Sequence, residues 1–191
     1  MKERIVTIFK ESIKVKEDIC KGKNSEVISL IVSMITKSLR KGGKVILFGN
    51  GGSAADSQHI AGELIGRFKK ERASLPAIAL TTDTSIMTSI ANDYGYENIF
   101  ARQVEGLGRK GDVAIGLSTS GNAPNVIAGL KQAKKMGIRT VAFTGGDGGK
   151  ISKLADISFI VPSCNTPRIQ ESHITCGHIL CELVEEELFK K

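Results

Sequence analysis

The sequence predicts an α/β protein: one parallel, five-stranded sheet covered by helices on both faces, preceded by an N-terminal helical hairpin. Five short apolar runs, Lys44–Phe48, Ala77–Leu80, Val113–Leu117, Thr140–Phe143 and Ile157–Val161, alternate with longer stretches of helical periodicity. Strands that apolar are buried on both sides, which is how parallel sheets read. The turns that follow the runs are rich in glycine and hydroxyl residues. In such sheets ligands collect at the carboxyl ends of the strands, near a topological switch point.

Taken in order, the elements justify themselves as follows. Ile5, Phe9 and Ile13 recur at helical spacing, as do Ile28, Ile31, Val32, Ile35 and Leu39. Residues 1–41 therefore read as two amphipathic helices, broken near Gly22 and closed by Gly42-Gly43. Residues 42–191 read as the α/β core, with helices expected at 53–70, 124–136 and 168–189. No internal repeat, low-complexity tract or linker interrupts the chain, and 191 residues suit one domain with a sizeable core.

Composition narrows the function classes. The net charge of +7 is spread along helices (Lys2, Lys10, Lys14, Lys69, Lys70, Lys134, Lys135), with no arginine-rich block and no stacking aromatics. That argues against nucleic-acid binding and weakly favours an anionic substrate. No apolar stretch approaches the roughly 18 residues of a membrane span, and the opening Met1-Lys2-Glu3-Arg4, which runs into an amphipathic pattern, leads us to expect no signal peptide. Four cysteines (Cys20, Cys164, Cys176, Cys181) form no CxxC pair, so a reduced cytoplasmic compartment is expected.

The first turn, Gly49-Asn50-Gly51-Gly52-Ser53-Ala54, fits a dinucleotide fingerprint poorly. The ribose-binding acid expected about 20 residues on is missing. What the turn offers is exposed backbone N–H groups and the Ser53 hydroxyl at a helix N-terminus, a cradle for phosphate. Ser118-Thr119-Ser120-Gly121-Asn122 repeats this chemistry. Helix capping alone accounts for many such serines, but two hydroxyl-rich turns after different strands can surround one phosphate. The third turn, Thr144-Gly145-Gly146-Asp147-Gly148-Gly149-Lys150, fails as a P-loop because Thr144 and Ile151 stand where glycine and a hydroxyl are needed. It reads as a flexible connection.

His59 and Glu63 lie four apart on an expected helix and share a face. Alone, such a pair is commonly a surface feature. The other two histidines, His173 and His178, follow Arg168-Ile169-Gln170-Glu171 near the C-terminus. His59, Glu63, Gln170 and His178 form a nitrogen and oxygen set suited to a divalent metal, zinc first. Eight residues of straight helix, however, separate Gln170 from His178 by about 12 Å. They meet at one ion only if the helix is distorted, starts late, or belongs to neighbouring subunits.

Together "GNGGSAADSQHIAGEL", "ANDYGY", "STSGN", "TGGDGGK" and "RIQESHI....H" resemble the phosphoheptose isomerases of the SIS (sugar isomerase) superfamily, in order and spacing, over nearly the whole chain. The resemblance implies a three-layer α/β/α SIS fold. It also implies interconversion of sedoheptulose 7-phosphate and D-glycero-D-manno-heptose 7-phosphate, the first step toward bacterial surface heptoses. A cytoplasmic homotetramer with active sites between subunits and one zinc ion per subunit is implied as well. Carried over by position, Asn50, Gly51, Gly52 and Ser53 match a substrate loop, Asn92 and Asp93 sugar contacts, and Ser118, Thr119 and Ser120 the phosphate loop. Gln170 matches a substrate and metal contact. Glu63, itself a substrate contact, and His178 match the catalytic pair, and His59, Glu63, Gln170 and His178 the metal set.

The chain departs from the family twice. Ala123 replaces a further phosphate-contacting serine, and Thr166-Pro167 precede Arg168 where some members carry an acid. Two rival readings share these loops: a non-catalytic relative that binds the replication initiator, and a sugar-phosphate-sensing module. Both resemble proteins without the acid and base. Glu63, His178 and Ser120, which stands where the initiator-binding relatives carry arginine, favour the enzyme.

Overall fold

The computed structural model describes residues 1–190. Helices α1 (Lys2–Lys21) and α2 (Asn24–Arg40) form the N-terminal pair, and the chain then enters β1 (Val45–Gly49), α3 (Gly52–Ile65) and β2 (Ala77–Ala79). Next come α4 (Thr84–Tyr94), a 3-10 turn (Tyr96–Asn98), α5 (Ile99–Leu107), β3 (Val113–Leu117) and α6 (Pro124–Lys135). Strand β4 (Arg139–Gly145), helix α7 (Gly149–Leu154), strand β5 (Ile157–Val161) and helix α8 (Thr166–Leu188) complete the fold.

The five strands pair in the order β2-β1-β3-β4-β5, and every pairing is parallel. Leu47, Ile115, Val141 and Ile157 stand in register across four of them. The chain starts in β1, steps outward to β2, and crosses back to β3 on the other side. The switch point therefore lies between β1 and β3, and the turns after these two strands flank one crevice.

Side chains alternate across the sheet, but both faces are buried. Leu47, Ile115 and Phe143 pack with Ile31 and Ile35 of α2, Ile60 of α3 and Leu180 of α8. Ile46, Phe48 and Ala114 pack on the opposite side with Phe100 and Val104 of α5 and Leu130 of α6. Helix α1 has no buried residue and touches the first cluster only through the partly buried Val15 and Ile19 near its C-terminal end. It is tied to α8 by Ser12, whose hydroxyl donates to Glu171 at 2.7 Å, and by Arg168, which donates to the Ile8 carbonyl at 2.8 Å.

Three expectations are corrected. Helix α3 stops at Ile65 rather than reaching residue 70, because Gly66 leaves helical geometry and the chain turns onto α8. Residues 84–107 carry α4 and α5, which periodicity did not announce. Helix α4 buries nothing and α5 spans only nine residues, so neither shows a long apolar stripe. The Gly145–Lys150 stretch is a braced turn rather than a flexible connection. Gly145 N–H donates to Thr119 O at 3.0 Å, Ile151 N–H to Gly121 O at 3.0 Å, and Lys150 N–H to the Asn122 side chain at 3.2 Å.

Candidate active site and metal centre

The first turn is shaped by close approach. A Cβ on Gly49 would meet Leu117 O and the Ser53 Cβ, both at 2.8 Å, so only glycine lets α3 begin this near β3. Gly51 has a φ of 55°, the left-handed region that glycine adopts without penalty. Ser53 is buried beneath the turn. The Asn50 amide is already engaged: it exchanges two hydrogen bonds with the Asn125 amide, each 2.8 Å, and accepts a third from Tyr96 Oη at 3.2 Å. Asn125, buried on α6, and Tyr96 thus join the two flanks of the crevice. Neither was singled out from the sequence, since a lone asparagine after proline and one tyrosine carry no pattern.

On the other flank Ser118 is buried, while Ser120 is exposed at the mouth of the turn. Gly121 N–H donates to Ser118 O at 2.9 Å, and Asn122 N–H to the Ser120 hydroxyl at 3.3 Å. Helix α6 starts at Pro124 with Ala123 as a cap that offers no side-chain acceptor. Asn92 and Asp93 lie exposed at the end of α4, with Asn92 donating to Asp93 at 2.8 Å. Tyr96 is the member of their segment that reaches the first turn.

Helices α3 and α8 run side by side in the same direction, with Gly52 against Gln170 and Ile60 against Gly177. A Cβ on Gly177 would lie 2.6 Å from the Ile60 side chain, so glycine there sets the close helix approach. At the same level, His59 Nε2 and His178 Nε2 stand 2.9 Å apart, and His59 Nε2 is 3.3 Å from Glu63 Oε1. One nitrogen or oxygen from each of His59, Glu63 and His178 falls within a 4.8 Å cluster. Gln170 does not join them within one chain. Helix α8 begins four residues before it and runs unbroken past His178, so the side chain sits two turns away against Gly52.

Asp56 lies on the same face of α3 as Gly52, His59 and Glu63. Burial pushes its carboxyl up to about 6, against a smaller downward pull from His59, and one of its oxygens finds no partner among the described residues. His173 differs from the other histidines. It is fully buried between Phe143 and Phe159, and burial pushes it down to about 4 despite its bond to Thr144 O at 3.2 Å.

Comparison with known proteins gives the family and agrees with the fold. The SIS domain family model matches residues 9–145, so the class is that of SIS-domain proteins. The phosphoheptose isomerase of Aquifex aeolicus is 59% identical, over 97% of either chain. The solved structure of a phosphoheptose isomerase from Neisseria gonorrhoeae superposes with a TM-score of 0.92 at 42% identity, covering 97% of this chain and 98% of that one. Its Francisella tularensis counterpart gives 0.93 at 35% identity, over 96% and 97%. The chain belongs to the phosphoheptose isomerase family.

Proposed function

We propose that the protein is an aldose–ketose isomerase that converts D-sedoheptulose 7-phosphate to D-glycero-D-manno-heptose 7-phosphate through an enediol. The observation that carries this reading is the convergence of Glu63 and His178, from two helices, on the α3–α8 contact that leads to the turn at Gly52. The reaction moves a proton between C1 and C2 of an open-chain sugar. Glu63 is the base that carries it, and His178 exchanges protons with the substrate oxygens. The turns at Asn50–Ser53 and Ser118–Ser120 hold the phosphate end through backbone N–H groups and hydroxyls, and Asn92 and Asp93 bind the sugar. Fixing the far end places C1 and C2 against the acid and the imidazole.

The donor set fits a zinc ion. Two imidazole nitrogens and a carboxylate oxygen already gather within 4.8 Å, with no cationic side chain among them. His59, Glu63 and His178 would hold it, with Gln170 of a neighbouring copy as fourth donor. Bound there, zinc supplies Lewis-acid polarisation of substrate oxygens. The exposed apolar face of α1 (Ile5, Val6, Phe9, Ile13) supports a homotetramer with sites between subunits. Among the described residues no helix is long and apolar enough to cross a membrane, and we place the enzyme in the cytoplasm, at the first step toward surface heptoses. Purified protein supplied with sedoheptulose 7-phosphate, with and without a chelator, tests this reading. Absence of the aldose product in both arms refutes it.

A further inference from the structure

Beyond α3 the chain crosses from Gly66 to Pro76 without regular structure, yet it is held firmly. Glu185 of α8, two turns past His178 and on the same face, is 1% exposed. Its carboxylate accepts the N–H groups of three successive residues: Phe68 at 3.0 Å, Lys69 at 3.2 Å and Lys70 at 2.6 Å. Successive N–H groups converging on one anion make a nest, here filled by the protein's own carboxylate. Arg72 stands 3.7 Å from the same carboxylate, its side chain also only 1% exposed. Its guanidinium donates to the carbonyls of Glu63 at 2.9 Å, Leu64 at 2.8 Å, Gly66 at 3.2 Å and Ala73 at 3.1 Å. It therefore closes the C-terminal end of the helix that carries His59 and Glu63.

What this clasp presents to the site is Phe68. Its ring stacks on the His178 imidazole, with centroids 5.6 Å apart and planes 28° from parallel. The His178 ring also meets His59 edge-on, at 5.0 Å and 61°. An imidazole on a helix surface otherwise samples several staggered χ1 wells and a broad χ2. Here the Phe68 ring and the His59 nitrogen both contact it and favour the orientation observed. We propose that Phe68 and Glu185 are positioning residues for the reaction: Glu185 gathers the 66–72 backbone so that Phe68 holds the His178 ring with Nε2 toward His59 and Glu63. The inference rests on the reading of His178 as part of the active and metal-binding set.

The test uses the full-length protein in four forms: Phe68→Leu, Phe68→Tyr, Glu185→Gln and the Phe68→Leu/Glu185→Gln double variant. Turnover and KM are measured with sedoheptulose 7-phosphate, and zinc affinity by competition with a chromophoric chelator. Phe68→Leu is expected to lower kcat about tenfold or more with KM within about twofold, because the phosphate turns are untouched. Zinc affinity should fall about tenfold, the order seen when a partner that orients a ligand is removed. Phe68→Tyr, which keeps the ring face, should restore both. Glu185→Gln should show the same signature, and the double variant no greater loss than either single change. Unchanged kcat and zinc affinity in Phe68→Leu, a loss confined to KM, or no rescue by tyrosine overturns the role of Phe68. Additive losses in the double variant overturn the claim that Glu185 acts through it. Zinc affinity reads this arrangement without reference to turnover, so it still decides the point if the isomerase reading itself fails.

Discussion

His59 Nε2 and His178 Nε2 face each other at 2.9 Å across the α3–α8 contact, with Glu63 Oε1 3.3 Å from the first. Two ring nitrogens at that distance need either one shared proton or one shared cation, since two lone pairs repel and two protons collide. Metal binding here should therefore release protons and weaken as pH falls. Replacing His59 with Ala is expected to lower zinc affinity by more than the ~10–100-fold typical of an outer partner. Titration of the apoprotein with zinc checks this, and equal affinity in the variant would remove His59 from the set.

Glu63→Gln keeps the shape of the side chain and removes its ability to take a proton. Turnover is expected to drop by about two or more orders of magnitude, with the circular dichroism spectrum and phosphate binding retained. Near-normal turnover in that variant would sink the assignment of the base.

Ser120 lies exposed at the mouth of the second turn, and the proposed function assigns its hydroxyl to the phosphate. Ser120→Ala should weaken binding of sedoheptulose 7-phosphate by about 1 kcal/mol through a lost hydrogen bond. Ala123 caps α6 without a side-chain acceptor. Ala123→Ser should stabilise the protein by about 1 kcal/mol, raising Tm by roughly 2–4 °C, and add a hydroxyl beside the same turn. Calorimetry of both variants, with and without ligand, separates capping from phosphate contact. Unchanged affinity in Ser120→Ala marks that serine as a structural turn residue only.

His173 is held neutral inside the protein, pushed by burial down to about 4 from an ordinary value of 6.5. Above pH 6.5 neither the folded nor the unfolded form carries the proton, and the full stability is present. As pH falls from 6.5 toward 4 the unfolded chain takes up a proton that the folded form refuses, so stability falls by ~3 kcal/mol. Asp56 acts in the opposite sense, since its raised carboxyl favours the folded form below pH 4 and that contribution disappears as pH rises through about 6. Urea unfolding between pH 7 and pH 4.5 should show a steeper loss for the parent than for His173→Gln, which keeps a donor for the Thr144 carbonyl. Parallel curves would mean that His173 does not control the acid limb.

Ile5, Val6, Phe9 and Ile13 of α1 are 48%, 51%, 66% and 55% exposed in the single chain. Leaving such a face in water forfeits roughly 25 cal/mol for each Å². Light scattering is expected to give a mass near four subunits, and Phe9→Glu should dissociate the assembly and abolish activity. An active monomer at assay concentration would refute both the tetramer and the contribution of Gln170 from a neighbour.

The five apolar runs, the helical hairpin and the positions of both turns were legible in the sequence, because periodicity and turn composition are local properties. The candidates His59, Glu63, Gln170 and His178 were legible as well, through motif order. Their grouping was not. His173 and His178 are five residues apart, about 140° around one helix, and only packing decides that the first enters the core while the second reaches α3. Gln170 shares α8 with His178 and stays two turns away because that helix runs unbroken from Thr166. Phe68, Arg72 and Glu185 carried no recognisable spacing at all. Their partners lie more than a hundred residues away along the chain or depend on a helix ending at Ile65, and contacts of that range exist only once α3 and α8 have packed against the sheet.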